Sequence, residues 1–120
     1  MRLKSSIFVS AIMRSEQVSG AFCSVLSHGS EEAGAIFIVH RRSNSASDFY
    51  GPAPQSFFED TDNGRRFEKL AEDVDDAEIQ RLSDRQRQFD PDCWIVEIEK
   101  SADLSSIEVV AAEQPDWPQP

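Results

Sequence analysis

Two residues able to do nucleophilic chemistry, Cys23 and His40, sit in the apolar runs AFCSVLSH and AIFIVHRR, joined by GSEEAG. If the runs form a hairpin with Gly29–Gly34 as its loop, and Ser27 pairs with Ile36, then Cys23 lies opposite His40 on one face. A thiol beside an imidazole is the start of a nucleophilic site. A slip of one residue in that register destroys the pairing. No orienting Asp or Asn accompanies the pair, so the competing reading is a buried thiol near a solvated strand-end histidine.

A second candidate is Asp90-Pro91-Asp92-Cys93-Trp94. Two carboxylates this close can bind a cation or share a proton. Asp followed by Pro is also the preferred start of a type I turn. The stretch reads best as the corner where a helix becomes a strand, with Trp94 the first inward residue. Trp94 has a binding role only if its face stays uncovered.

Arg41-Arg42 and Arg65-Arg66 form two basic doublets at strand ends, with Tyr50 as a neighbouring polar aromatic. Brought together they would hold a carboxylate or phosphate group. Held apart they would pair with Glu31, Glu32, Asp60 or Asp62. Near the C-terminus, PDWPQP offers Trp117 as an aromatic anchor for a partner.

Other signatures fail on their own chemistry. GSEEAGA has the glycine spacing of a phosphate loop but lacks its Lys-Ser/Thr pair and carries Glu31 and Glu32. EDTDNGRRFEKL puts Thr61 and Leu70 where a calcium loop needs carboxylates. Two histidines and two cysteines show no ligand-pair spacing, so neither metal nor cofactor is implied.

The elements that must position these residues follow from periodicity. Residues 5–18 read as an amphipathic helix with Leu3, Ile7, Phe8, Ala11 and Ile12 on its apolar side. AFCSVLSH and AIFIVHRR read as a hairpin. The second run is apolar on both sides and should be central, covered on both faces. DFYG is a short strand stopped by Pro52, and Asn63-Gly64 marks a hairpin turn between QSFFED and RRFEKLA. Asp75 and Glu78 form a capping box, with Val74 and Ile79 as the staple, for a helix whose apolar stripe is Ile79, Leu82 and Phe89. CWIVEIEK is a strand with Trp94, Val96 and Ile98 on one side, and Ile107–Val110 a weak edge strand. The expected fold is α+β: a mainly antiparallel sheet of about five strands with two helices packed on one face. Residues 1–100 form the single domain, and 101–120 an acidic, Pro-containing, mobile extension.

The net charge of −10 is spread unevenly: residues 1–29 carry +2, 30–72 −3, 73–100 −5 and 101–120 −4. Such a field repels phosphate backbones and anionic lipid, which disfavours nucleic acid as a partner. No apolar run approaches the ~20 residues a membrane span needs. MRLKSSIFVSAIM imitates an export signal, but its apolar stretch is short and broken by Ser10. Two cysteines make no disulfide framework, which fits a reducing cytoplasm.

Taken together, MRLKSSIFVSAIMR, EEAGAIF, YGPAPQ, RRFEKLA and FDPDCWIVEIEK resemble the pattern of a family of short alphaproteobacterial proteins, domain-of-unknown-function family 1491 (DUF1491). The resemblance covers about residues 1–100 and implies a small cytoplasmic bacterial protein, with no activity, cofactor or site to carry over.

The residue types point to a non-catalytic binding module whose partner is another protein, with a second copy of the chain also compatible. The alternatives are a small enzyme using Cys23 with His40 or Asp90 with Asp92, and an anionic-ligand binder at the arginine doublets.

Overall fold

The computed structural model describes residues 3–54 and 65–110. Its elements run α1 (Ser5–Val18), β1 (Phe22–Ser27), β2 (Ile36–Arg41), β3 (Ser47–Pro52), β4 (Arg66–Val74), α2 (Asp76–Phe89), β5 (Trp94–Glu99) and β6 (Glu108–Val110). They build a six-stranded sheet in the order β1-β5-β2-β3-β4-β6. The fold is α+β as expected, but the sheet is mixed: β5 runs parallel to β2 and β6 parallel to β4, while the other three pairings are antiparallel.

The expected β1–β2 hairpin does not form. β5 inserts between the two strands, and the 29–34 loop straddles its start. A methyl group on either Gly29 or Gly34 would lie 2.2 Å from the Asp92 carbonyl oxygen and would press on Trp94. The two glycines therefore let backbone approach backbone around β5 rather than close a tight turn. Gly34→Ala is expected to destabilise the protein by about 2–3 kcal/mol, because the obstacle is main chain and cannot rotate away. Urea unfolding followed by circular dichroism measures it.

The helices cover opposite faces of the sheet, not one. Val9 and Ile12 of α1 pack with Ile36, Ile38, Tyr50, Phe67, Trp94, Val96 and Ile98. On the other face, Ile79 of α2 packs with Phe37, Val39, Phe49, Cys93 and Ile95, joined by Val74 and Leu82. The reason lies in β2 and β5. β2 carries Ile36 and Ile38 on one side and Phe37 and Val39 on the other. Cys93, just before β5, and Ile95 add to the second side before Glu97 and Glu99; central strands of that kind need a layer on both faces.

The start of α1 has no side-chain cap. Its first N–H groups are satisfied by the 29–34 loop instead: Ser5 donates to the Glu32 carbonyl at 3.2 Å and Ser6 to that of Glu31 at 2.9 Å. The Ser5 hydroxyl donates to the Gly34 carbonyl at 2.6 Å. The stripe that faces the sheet is Ser5, Val9, Ile12 and Glu16, so the helix is rotated from the expected face and leaves Leu3 and Ile7 half exposed. α2 starts at the expected cap, where the Asp75 carboxylate accepts from the Glu78 N–H at 2.9 Å, but the Glu78 carboxylate, expected to complete the capping box, accepts instead from Arg81 Nε and Nη2 at 2.7 Å. Asn63-Gly64 and QSFFED lie outside the described residues.

Beyond β5 the chain crosses the α1 face to the far edge of the sheet. Leu104 and Ile107 pack against the core cluster on the way, and Glu108–Val110 then pair with β4. Among the described residues, no helix is long and apolar enough to cross a membrane.

Candidate functional site

The corner at 90–94 is closed by its own hydrogen bonds. The Asp92 N–H donates to the Asp90 carboxylate at 3.0 Å, and the Cys93 N–H to the Asp90 carbonyl at 3.1 Å. Asp90 thus serves the turn that Asp-Pro announces. Trp94 is 3% exposed, donates its indole N–H to the Ser30 carbonyl at 2.8 Å and carries the His28 ring 4.2 Å from its own. Its face is covered, so the condition for a binding role is not met. Among the described residues, no group of three or more His, Cys, Asp or Glu is placed to hold a metal ion.

Cys23 and His40 do share a face, but not as neighbours. Each is aligned with Ile98, Cys23 across the β1–β5 pairing and His40 across β2–β5. One whole strand therefore separates them, about 9–10 Å at the usual strand spacing. His40 is buried and its Nε2 is 2.9 Å from the Lys100 carbonyl oxygen. Burial pushes the Cys23 thiol up, and the Glu16 charge adds to it. Burial does the same to Cys93, assisted by Asp90. Reactive thiols need the opposite shift.

The arginine doublets end up at opposite ends of the sheet. Arg41 aligns with Ser47, at the first residue of β3, whereas Arg66 starts β4 beside the last residues of β3. Arg41 donates to Asp76 at 2.7 Å and to Glu97 at 3.2 Å. Arg42 grips the buried Asp48 through Nε at 3.0 Å and Nη2 at 3.1 Å, and also bonds Asp73. Asp48 in turn accepts the N–H of Asp73, whose φ of 57° lies in the left-handed region. Burial alone would raise the Asp48 carboxyl, but Arg42 and the Asp73 N–H hold it below the usual range. Arg65 donates to the Leu3 carbonyl at 2.8 Å, and Arg66 pairs with Glu108 at 3.4 Å. Tyr50 is buried beneath α1, with the Lys69 ammonium 5.8 Å from its ring. One anion site built from both doublets is therefore not assembled. Trp117 lies outside the described residues.

What the fold does assemble is a groove beside α2. Leu82, Arg85, Gln86 and Phe89 follow one another at helical steps of three, one and three, and form one wall. Phe49 of β3 and Leu70 of β4 form the floor, and Gln88 completes a lined volume of about 560 Å³. Phe89 was expected inside the core, yet it is 88% exposed, because the buried positions of α2 are Ile79 and Ser83. Leu70 is 46% exposed, while Phe49 is buried. An aromatic ring standing free at the rim of an apolar floor, with glutamines and an arginine around it, is the composition of a recognition surface.

The other polar feature the sequence did not reveal is Glu16. Its carboxylate is fully buried and accepts from the Lys100 ammonium at 3.0 Å, the Ser105 N–H at 3.1 Å and the Ser106 N–H at 2.9 Å. Burial would raise its carboxyl, but the bonds from Ser106 and Lys100 prevail and hold it below the usual range. Glu16 stands four residues after Ile12, but the Ser5-Val9-Ile12 stripe that carries it inward is the face the fold selects, not the one helical spacing marks as apolar.

A family model described as "Protein of unknown function (DUF1491)" matches residues 3–108. No curated protein matches the chain. The solution structure of protein Atu0922 from A. tumefaciens is 43% identical, with a TM-score of 0.81, and the alignment covers 96% of this chain and 100% of that one. A crystal structure of a DUF1491 family protein from Caulobacter crescentus is 24% identical, with a TM-score of 0.74 over 92% of this chain and 99% of that one, and shows the shared fold.

Proposed function

Starting from a chain that belongs to the DUF1491 family, we propose that it is a non-catalytic protein-binding module whose docking surface is the groove between α2 and strands β3 and β4. The observation that carries this reading is Phe89, 88% exposed at the end of a helix and beside a floor of Phe49 and Leu70. A single exposed ring is ordinary, but Phe89 lines one groove together with the half-exposed Leu70, and a contiguous apolar patch of this kind marks an interface. The groove volume of about 560 Å³ suits one or two apolar side chains of a partner. Arg85, Gln86 and Gln88 supply the polar rim that orients them. The net charge of −10 steers a partner with a basic surface toward the chain at long range, while at the groove itself Arg85 meets a carboxylate or carbonyl of that partner. The two thiols, Cys23 and Cys93, are unpaired and kept protonated, which suits action in a reducing cytoplasm.

Affinity capture from native extract with the full chain tests the reading. A specific partner should be retained by the wild type and by Glu78→Lys. Phe89→Asp should lose it by about 30-fold or more, the scale of an aromatic anchor. Phe89 is mostly exposed, so Phe89→Asp should stay folded and lose only a few degrees of unfolding temperature, from the carboxylate it places at the C-terminus of α2. A partner retained equally by Phe89→Asp would move the interface elsewhere and reject the groove.

A further inference from the structure

The two edges of the sheet are guarded very differently. β6 is three residues long and begins with Glu108, paired to Arg66. β1 is six residues, FCSVLS, and the segment around it carries no charge of its own: residues 17–30 hold no Asp, Glu, Lys or Arg, in a chain with 12 basic and 22 acidic residues. The guanidinium of Arg87 reaches the last two residues of the strand, donating to the Ser27 hydroxyl and the Leu26 carbonyl. Val18 is 84% and Phe22 74% exposed, and Val25 and Leu26 are each 40% exposed. A free edge offers a row of unpaired N–H and C=O groups, and proteins normally blunt it with charge, proline or brevity. β1 has a bulge near Leu26 and the Arg87 guanidinium on the Leu26 carbonyl at 3.5 Å, and both lie at its C-terminal end, which leaves residues 22–25 as the unguarded stretch.

We infer that the β1 edge is a self-association surface, where a second copy of this chain adds its own β1 antiparallel about a two-fold axis. Charge selects this occupant and this place. Two chains of net charge −10 repel each other over most of their surfaces, but here an uncharged strand meets an uncharged strand. An antiparallel two-fold pairing is self-complementary, since each strand's free N–H and C=O groups meet the same groups on the other. It also covers Phe22 and Val18, which nothing in the chain covers among the described residues. The described C-terminal segment is no competitor, because β6 lies beside β4 at the opposite edge. Pairing of six-residue strands makes a small interface, so the dimer is reversible, with a dissociation constant on the order of tens of micromolar. Screening of the net charge makes it tighter as salt rises.

Sedimentation of the full chain over a concentration series tests the inference, with unfolding scans confirming that each variant is folded. The expected result is a reversible dimer that strengthens with salt, is weakened roughly tenfold or more by F22K/L26K through like charges facing across the axis, and is unchanged by V109K at the other edge. If L26K proves unstable, Phe22→Lys alone carries the test, and in the wild type the Ser24 and Val25 amides should gain exchange protection as concentration rises. A chain that stays monomeric to about 1 mM, or a dimer that V109K weakens as much as F22K/L26K, overturns the inference. A dimer abolished by Phe89→Asp instead also overturns it, by placing self-association at the α2 groove.

Discussion

Glu16→Ala is expected to destabilise the protein by about 3–5 kcal/mol, the cost of breaking a buried ion pair from one side. The substitution leaves the Lys100 ammonium, whose side chain is 12% exposed, without its counter-charge. It also leaves the Ser105 and Ser106 N–H groups without their acceptor. A carboxylate in the last turns of α1 opposes the helix dipole, and that turn holds no basic residue to offset it. Glu16 is therefore not there for the helix. It fastens the segment that carries Leu104 and Ile107 over the sheet and delivers β6 to its edge. Exchange of the Ser105 and Ser106 amides should accelerate before the rest of the fold opens. Glu16→Gln keeps the shape but turns two donors toward donors, and should cost about half as much.

The same group sets an acid limit. The Glu16 carboxyl is held below its ordinary value in the fold, so the unfolded chain binds this proton more readily. Its contribution is fully present above the unfolded pKa of about 4.3 and is lost as pH falls through the lower folded value. Asp48 shifts in the same direction and adds to the loss. Stability measured from pH 6 down to pH 3 should fall less steeply in Glu16→Ala than in the wild type.

Trp94→Ala should cost about 3–5 kcal/mol, the usual range for emptying a buried aromatic site. The ring fills the space between His28, the 29–34 loop and the apolar cluster beneath α1. The loop cannot close on the cavity, because Ser30 is pinned to the corner through its N–H, which donates to the Asp92 carbonyl at 2.9 Å. Trp94→Phe retains most of the apolar contact but leaves the Ser30 carbonyl without the indole donor, at about 1–2 kcal/mol. The ordering Ala well below Phe below wild type, by urea unfolding and far-UV circular dichroism, identifies an architectural tryptophan. A recognition tryptophan would leave stability nearly unchanged in both.

Local signals in the sequence translated directly into structure. Asp75 caps α2 through the Glu78 N–H, and residues 5–18 form α1. β5 alternates as written, with Trp94, Val96 and Ile98 on one face and Cys93 and Ile95 on the other. What failed was non-local. The glycines at 29 and 34 look like a hairpin loop, but their role is to admit a strand that arrives some sixty residues later in the chain. Placing both helices on one face overlooked the consequence of the two apolar sides of β2, which Cys93 and Ile95 around the start of β5 extend. Phe89 reads as core on helical spacing, yet the buried stripe of α2 passes through Ser83 instead. Glu16 was invisible because a lone carboxylate normally marks the wet side of a helix; its partners at 100, 105 and 106 are brought to it only by the fold. The groove is of the same kind, since Phe49, Leu70 and Phe89 meet only when β3, β4 and α2 are assembled.

The most direct test of the binding-module account is photo-cross-linking inside the native host. A benzophenone side chain would replace Phe89, with Phe22 and Val109 as separate positions for comparison. The account predicts one dominant covalent adduct from position 89 to a protein with a basic surface, and no such adduct from position 109. Adducts that are diffuse at position 89, or identical at 89 and 109, would contradict the groove as a docking surface.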